Sequence, residues 1–424
     1  MKFRKVSALL LAGAMCAATV VGCGKTSSTS GTASNDATKA AEDEEITATI
    51  TVWGPAEDQS VDNGEWLQNM CKKFNDEHPK WNLTFKYGTC SEGDAGKTVS
   101  ADPSASADVY MFANDQLQTL IDAGAISKLG GSALETVKKN NSEAMLNTVT
   151  IGDDVYGVPF TGNTWFLYYN KDIFTADDVK NLDTMLSKGK VSFKLTDSWY
   201  IGGFYVGNGC TVFGADGKDE KAGVDLTGDK ATDVTKYLVD LAANPNFVND
   251  ADQSGITGFN DGTIGAFFSG TWDKSNIKLD KSKVGVVAAP TYTLNGKENQ
   301  MTAFAGSKSI GVNPNCKYPQ VAVALALYLG SDEAQISHYE ARGIIPCNTG
   351  AVSNDKVAAD EMAVAQNDTM NNKSVMQPTC KGMNNWWTPA ENMGKSIIAG
   401  ETTKDNAADK TAEFNEGANN GVVK

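Results

Sequence analysis

From Ile46 the chain alternates in character. Ile46, Ala48, Ile50 and Val52 fall on one side, and Thr47, Thr49 and Thr51 on the other. This period of two predicts a half-buried strand ending at Trp53, and Gly54-Pro55 breaks it. The period then changes. Trp66, Leu67, Met70 and Phe74 recur at helical spacing between Glu65 and Asp76, and Pro79 ends the helix. Trp81, Leu83, Phe85 and Tyr87 alternate again as a second strand. A strand, a helix and a strand make a βαβ unit, which implies a parallel sheet. Residues 108–112 read as the next buried strand, with Asn114 capping a helix that turns Leu117, Leu120 and Ile121 inward and stops at Gly124. Residues 155–159, 165–169, 264–268 and 284–288 are further strand candidates. Residues 233–243, 320–330 and 332–342 are further helices. The region after Ser353 is helical and polar in places, and no internal repeat is present. The overall pattern is α/β.

Residues 1–45 follow a different rule. Lys2, Arg4 and Lys5 form a basic start, and an apolar run extends from Val6 to Val21. The run is short and small-sided against the roughly 20 apolar residues of a membrane-spanning helix. Its layout, through 1–22, is that of a secretory signal. Val20-Val21-Gly22-Cys23 resembles a bacterial lipobox, which implies cleavage before Cys23 and a diacylglyceryl group on its sulfur. Two acyl chains anchor stably. The alternative is a plain signal cut nearby, with Cys23 lost or idle. The following GKTSSTSGTASNDATKAAEDEE has no aromatic residue and no Ile, Leu, Val or Met. Such a stretch cannot offset its ordering entropy, so 23–45 is expected to be a flexible linker. The folded part then begins near Ile46, at the outer face of a membrane.

The chain beyond Ile46 is long enough for an ample core and two lobes. Formal charge is −15, and about −18 without the three leader cations. A chain this acidic is poorly suited to nucleic acid or anionic lipid, but compatible with neutral ligands. Its two histidines, His78 and His338, are thin material for a metal site or a histidine catalyst. Six cysteines follow Cys23: Cys71, Cys90, Cys210, Cys316, Cys347 and Cys380. An even count permits disulfides in an exported chain, but no spacing fixes a pairing, and free buried thiols satisfy the sequence equally. There is no G-x-S-x-G, H-E-x-x-H or G-x-x-x-x-G-K-[ST] motif. No cofactor is expected.

Six of the eight tryptophans stand in loops or at loop edges. Trp53 ends the first strand, with Glu57 and Asp58 after it. Phe112 ends the third, followed by Asn114, Asp115 and Gln116. Asn163 and Trp165 follow Pro159-Phe160, and Trp199-Tyr200 lies among glycines. Trp272 follows Gly270, and Trp386-Trp387 lies between Asn385 and Pro389. In open α/β sheets ligands bind at the carboxyl ends of strands. A pyranose offers an apolar C–H face to an aromatic ring and a rim of hydroxyls to carboxylates and amides. For a single tryptophan, core packing is the simpler reading, and Trp66 and Trp81 are core by their periodicity.

Several segments resemble the extracellular solute-binding proteins of sugar ABC transporters, in particular the maltose/maltodextrin-binding group. They are 107–115, Val155-Tyr156-Gly157-Val158-Pro159 with 168–172, Phe259-Asn260-Asp261-Gly262 with 270–277, and Met376-Gln377-Pro378 with Met383 and Trp386-Trp387. The resemblance spans 46 to about 403. It implies a periplasmic-binding-protein-like fold of two lobes, 46–160 with 305–353 and 161–304 with 354–424, joined by a hinge around a ligand cleft. It further implies a monomer that is not an enzyme and captures maltooligosaccharides for ABC permease subunits. Trp199, Tyr200, Trp272 and Trp387 would stack on glucose rings, and Phe112 falls at an aromatic cleft position. Glu57, Asp58 and Asp115 would bond hydroxyls. Gln116 stands where the family carries an arginine and Asn163 where it carries a glutamate, and both keep hydrogen bonding without charge. Xylo-, fructo- and galacto-oligosaccharides remain open as ligands, as does glycoside hydrolysis by two cleft carboxylates.

Overall fold

The computed structural model describes residues 44–420 and, ahead of them, Thr32–Ala33, which pair in parallel with Lys128–Leu129. The leader, Cys23 and most of the linker therefore lie outside the described residues. Two sheets organise the rest. Their strands are β1 (Ile46–Gly54), β2 (Trp81–Thr89), β3 (Val109–Ala113), β4 (Gly157–Asn163), β5 (Phe166–Asn170), β6 (Val191–Phe193), β7 (Phe247–Asn249), β8 (Ala266–Ser269), β9 (Val284–Val287), β10 (Ala303–Val312) and β11 (Ser374–Met376). The helices that matter below are α1 (Trp66–Asp76), α2 (Ser198–Gly207), α3 (Asp332–Arg342), α4 (Trp387–Ile398) and α5 (Ala407–Ala418).

The first sheet runs β11–β10–β3–β1–β2, with β4 also paired to β10. The alternating segment is its middle: β1 pairs in parallel with β2 from Ile46–Trp81 to Gly54–Thr89. Its apolar side is buried and its threonines face outward. Trp66, Leu67, Cys71 and Phe74 bury the inner stripe of α1 against this sheet. The sheet is not wholly parallel, as the βαβ unit alone implied. Strand β10 lies antiparallel to both β3 and β4. The second sheet runs β7–β6–β8–β5–β9 and is also mixed.

Each sheet has its own apolar core. Ile50, Val52, Met111, Phe112, Phe160, Ile310 and Val312 belong to the first, and Trp165, Leu167, Phe193, Phe204, Phe268, Phe304 and Trp386 to the second. Two stretches of chain serve both. Only 161–164 separate Phe160 from Trp165, and β10 itself starts in the second core at Ala303–Phe304 and ends in the first at Ile310–Val312. The hydroxyl of Thr164 donates to the Phe304 carbonyl at 3.0 Å, tying the two crossings together. Asn114 does not cap the helix after it. It is buried, and its Oδ1 accepts from the Ser307 amide at 3.1 Å. Gly306 permits that approach, since a Cβ there would lie 2.3 Å from the same oxygen.

The glycine-rich segment around Trp199 is helix α2, not a loop. All six cysteines are free, and burial pushes the thiols of Cys71 and Cys210 up to about 12. No helix among the described residues is long and apolar enough to cross a membrane.

Candidate functional site

The carboxyl ends of β1 and β2 open onto a cavity of about 460 Å³. Pro55 breaks β1, and the short helix Ala56–Gln59 that follows brings Glu57 and Asp58 to the cavity. Ser91 and Glu92 follow β2. Phe160 and Thr161 come from the middle of β4, Lys308 from the middle of β10, and His338 and Arg342 from α3. The opposite wall comes from the second sheet. It is the turn after β8, which contributes Thr271, Trp272, Ser275 and Asn276. The cavity is thus a cleft between loops of the two sheets.

Its charges are largely matched internally. Asp58 is only 1% exposed. Its Oδ1 accepts from His338 Nε2 at 2.9 Å and from the Arg342 guanidinium. Burial pushes this carboxyl up, but His338, then Arg342 and Lys308, outweigh burial and hold it below the ordinary carboxylate value. Lys308 lies 3.4 Å from Glu92. His338 packs against both Trp66 and Phe160, with ring centroids at 4.6 and 4.7 Å, and those two rings also touch each other at 5.3 Å. A cleft so balanced suits an uncharged ligand better than an ion.

The aromatic side is built from two rings. Trp272 is 37% exposed, an unusual allowance for an indole. Trp199 packs beside it at 6.0 Å, and its Nε1 donates to Gln377 Oε1 at 2.8 Å. Helix α2 is fixed from below by Trp386, fully buried, whose Nε1 donates to the Ser198 carbonyl at 3.0 Å.

The structure therefore gathers Glu57, Asp58 and Trp272 into one cavity and sets Trp199 against Trp272. The other candidates stand elsewhere. Phe112 is fully buried in the first core, and Tyr200 is buried in the second, stacked on Trp165 at 5.6 Å, so neither offers a free face. Trp387 opens α4 half-buried on the second core. Asp115 and Gln116 bond each other, Nε2 to Oδ2 at 3.0 Å, and burial pushes the Asp115 carboxyl up despite that bond. Asn163 ends β4 opposite Gly306. Glu92, Lys308, His338 and Arg342 escaped the sequence reading because topology alone, not sequence spacing, brings them to the cleft. A second hollow, about 500 Å³, lies between α4 and α5, and Lys395 and Lys410 on its rim are already paired with Glu391 and Glu413.

The model of the bacterial extracellular solute-binding proteins matches residues 69–365. The chain belongs to this family. A solved structure of a protein with acarbose is 51% identical, with a TM-score of 0.85 over 89% of this chain and 100% of that one. The maltodextrin-binding protein of L. casei BL23, solved without ligand, is 25% identical with a TM-score of 0.81, covering 88% and 99% of the two chains. A maltooligosaccharide ABC transporter solute-binding lipoprotein of Streptococcus pneumoniae is 28% identical over 82% of this chain and 85% of its own length. The architecture is accordingly the α/β two-lobe binding-protein fold.

Proposed function

We propose that this solute-binding protein captures maltooligosaccharides, short chains of α-linked glucose, in the cleft faced by Trp272 and Asp58, and presents them to an ABC importer. One observation carries the reading. An exposed indole stands across a narrow cavity from a set of charge-balanced polar groups. Such a pair of walls matches the apolar face and hydroxyl rim of a sugar. The names of the S. pneumoniae lipoprotein and of the L. casei maltodextrin-binding protein, and the acarbose in the structure that is 51% identical, support the choice of glucan. Cys23 would carry the lipid that tethers the chain outside the cell, with 23–45 as linker. The lobes would divide as 46–160 with 305–353 and 161–304 with 354–424, and the ligand would favour their closure by touching both.

The activity proposed is binding without chemistry. A hydrolase needs a cleft carboxylic acid with a raised pKa. The buried carboxyl here, Asp58, is instead held low, and the carboxyls that burial pushes up, Asp108, Asp115 and Asp197, are not part of the cavity wall. Calorimetric titration with maltotriose and with xylo-, fructo- and galacto-oligosaccharides tests the reading. Saturable binding is expected for maltotriose, with the sugar recovered intact. Recovery of shorter sugars would establish hydrolysis, and preference for another oligosaccharide would replace the glucan.

A further inference from the structure

The sequence contains two arginines, Arg4 in the leader and Arg342, and the other basic side chains of its folded part are lysines and two histidines. That single arginine faces the cleft. Its side chain is 17% exposed, and beneath it the Asp58 side chain is 2% exposed. Lysine and arginine differ in chemistry. Lysine is a hydrated point charge, whereas guanidinium is a planar fork of five N–H donors that bonds two acceptors side by side. A guanidinium at this wall can bond two acceptors side by side, which a lysine could not.

The surroundings fit that use. Arg342 and His338 lie one turn apart on α3 and both bond Oδ1 of Asp58. The contact engages one end of the guanidinium, through Nη1, and leaves further N–H groups at the cavity wall. Lys308, the other cation lining the cavity, is already beside Glu92 at 3.4 Å. His338 is held in place by burial and by its contacts with the clustered rings of Trp66 and Phe160. Burying a carboxylate with its partners is at best weakly stabilising against apolar packing. Asp58 does, however, fix the orientation of the fork and cancel its charge, which a neutral ligand requires.

We propose that Arg342 is a direct ligand-binding residue whose guanidinium fork bonds two neighbouring hydroxyl oxygens of one sugar unit, with Asp58 and His338 as its positioning residues. The inference rests on the carbohydrate reading above. It assigns a specificity role: the fork reads a vicinal diol, and Trp272 supplies the facing apolar surface.

The test is calorimetry with maltotriose on the full-length chain and on Arg342→Lys and Arg342→Gln, with thermal unfolding of each ligand-free protein. Arg342→Lys preserves the charge beside Asp58, so its ligand-free melting temperature is expected within a few degrees of the parent, while affinity falls at least tenfold. A folded Arg342→Lys with affinity within twofold of the parent overturns the proposal. A second measurement needs no variant. Phenylglyoxal modification is mapped by mass spectrometry, with an added arginine-containing peptide as reference. Saturating maltotriose is expected to slow modification of Arg342 severalfold and leave the reference peptide unchanged. Equal rates with and without sugar overturn the assignment. If the parent protein itself binds no neutral oligosaccharide, the carbohydrate reading fails and takes this inference with it. Failure of the variant or protection result alone removes only Arg342.

Discussion

At the residue scale the decisive contrast is between aromatic rings that share a sequence context and differ in burial. Trp272, Tyr200 and Phe112 all sit at the edge of an apolar run, but only Trp272 keeps a third of its surface in water. Phe112 is the last residue but one of a strand buried almost throughout, and Tyr200 lies in a helix buried along most of its length. Sequence position marks the strand end but not the direction of the ring. Removing the exposed ring should therefore cost binding and not stability. Trp272→Ala is expected to weaken maltotriose binding by about 1.5–3 kcal/mol of lost apolar burial. Its urea midpoint should stay close to that of the parent. Equal losses in both measurements would place Trp272 among structural residues.

Asp58 makes the opposite prediction. Its folded pKa lies below the unfolded value, so the stability it contributes is complete above the ordinary carboxylate value of 3.8 and is lost as pH falls through the folded value. Asp58→Asn breaks a buried pair and should cost about 3 kcal/mol near neutrality. The gap between parent and variant in urea unfolding should narrow below about pH 4. A gap that is constant from pH 6 to pH 3 would contradict the ion-pair account.

At the element scale, regular patterns read well and buried ones did not. The strands β1 and β2 and helix α1 were legible because one face of each is wet, so polarity alternates with their period. Strand β10 was missed. All but one of its ten residues are buried, its small Ala, Gly and Ser residues mask any alternation, and it serves two cores at once. Helix α2 was missed for a related reason. It is apolar all round, so it has no stripe, and Gly202, Gly203 and Gly207 read as loop. Its close packing has a measurable consequence. A Cβ added at Gly394 of α4 would lie 2.1 Å from the Leu195 carbonyl, just before α2. Gly394→Ala is expected to force the helix outward and cost about 1–3 kcal/mol in urea unfolding. A neutral or stabilised variant would show that α4 does not bear tightly on that segment.

At the scale of the whole molecule, two sheets with separate cores are joined where 161–164 and β10 pass between them, and the cavity lies beside those crossings. Lys274, two residues beyond Trp272, donates to Asp360 at 2.9 Å. Asp360 in turn accepts from Tyr339 of α3 at 2.7 Å, so the aromatic wall and the Arg342 helix are already mechanically linked. The two-lobe class could be inferred from the sequence through family motifs. The partners of Asp58 could not, since His338 and Arg342 lie some 280 positions away. The central claim is that an uncharged glucan is held between Trp272 and the Asp58–Arg342 side of one cleft. A crystal structure of the protein grown with maltotriose tests it most directly. The account predicts a glucose ring stacked on Trp272, with hydroxyls bonded from the opposite wall. Maltotriose seated in the hollow between α4 and α5, with the cleft holding only water, would contradict it.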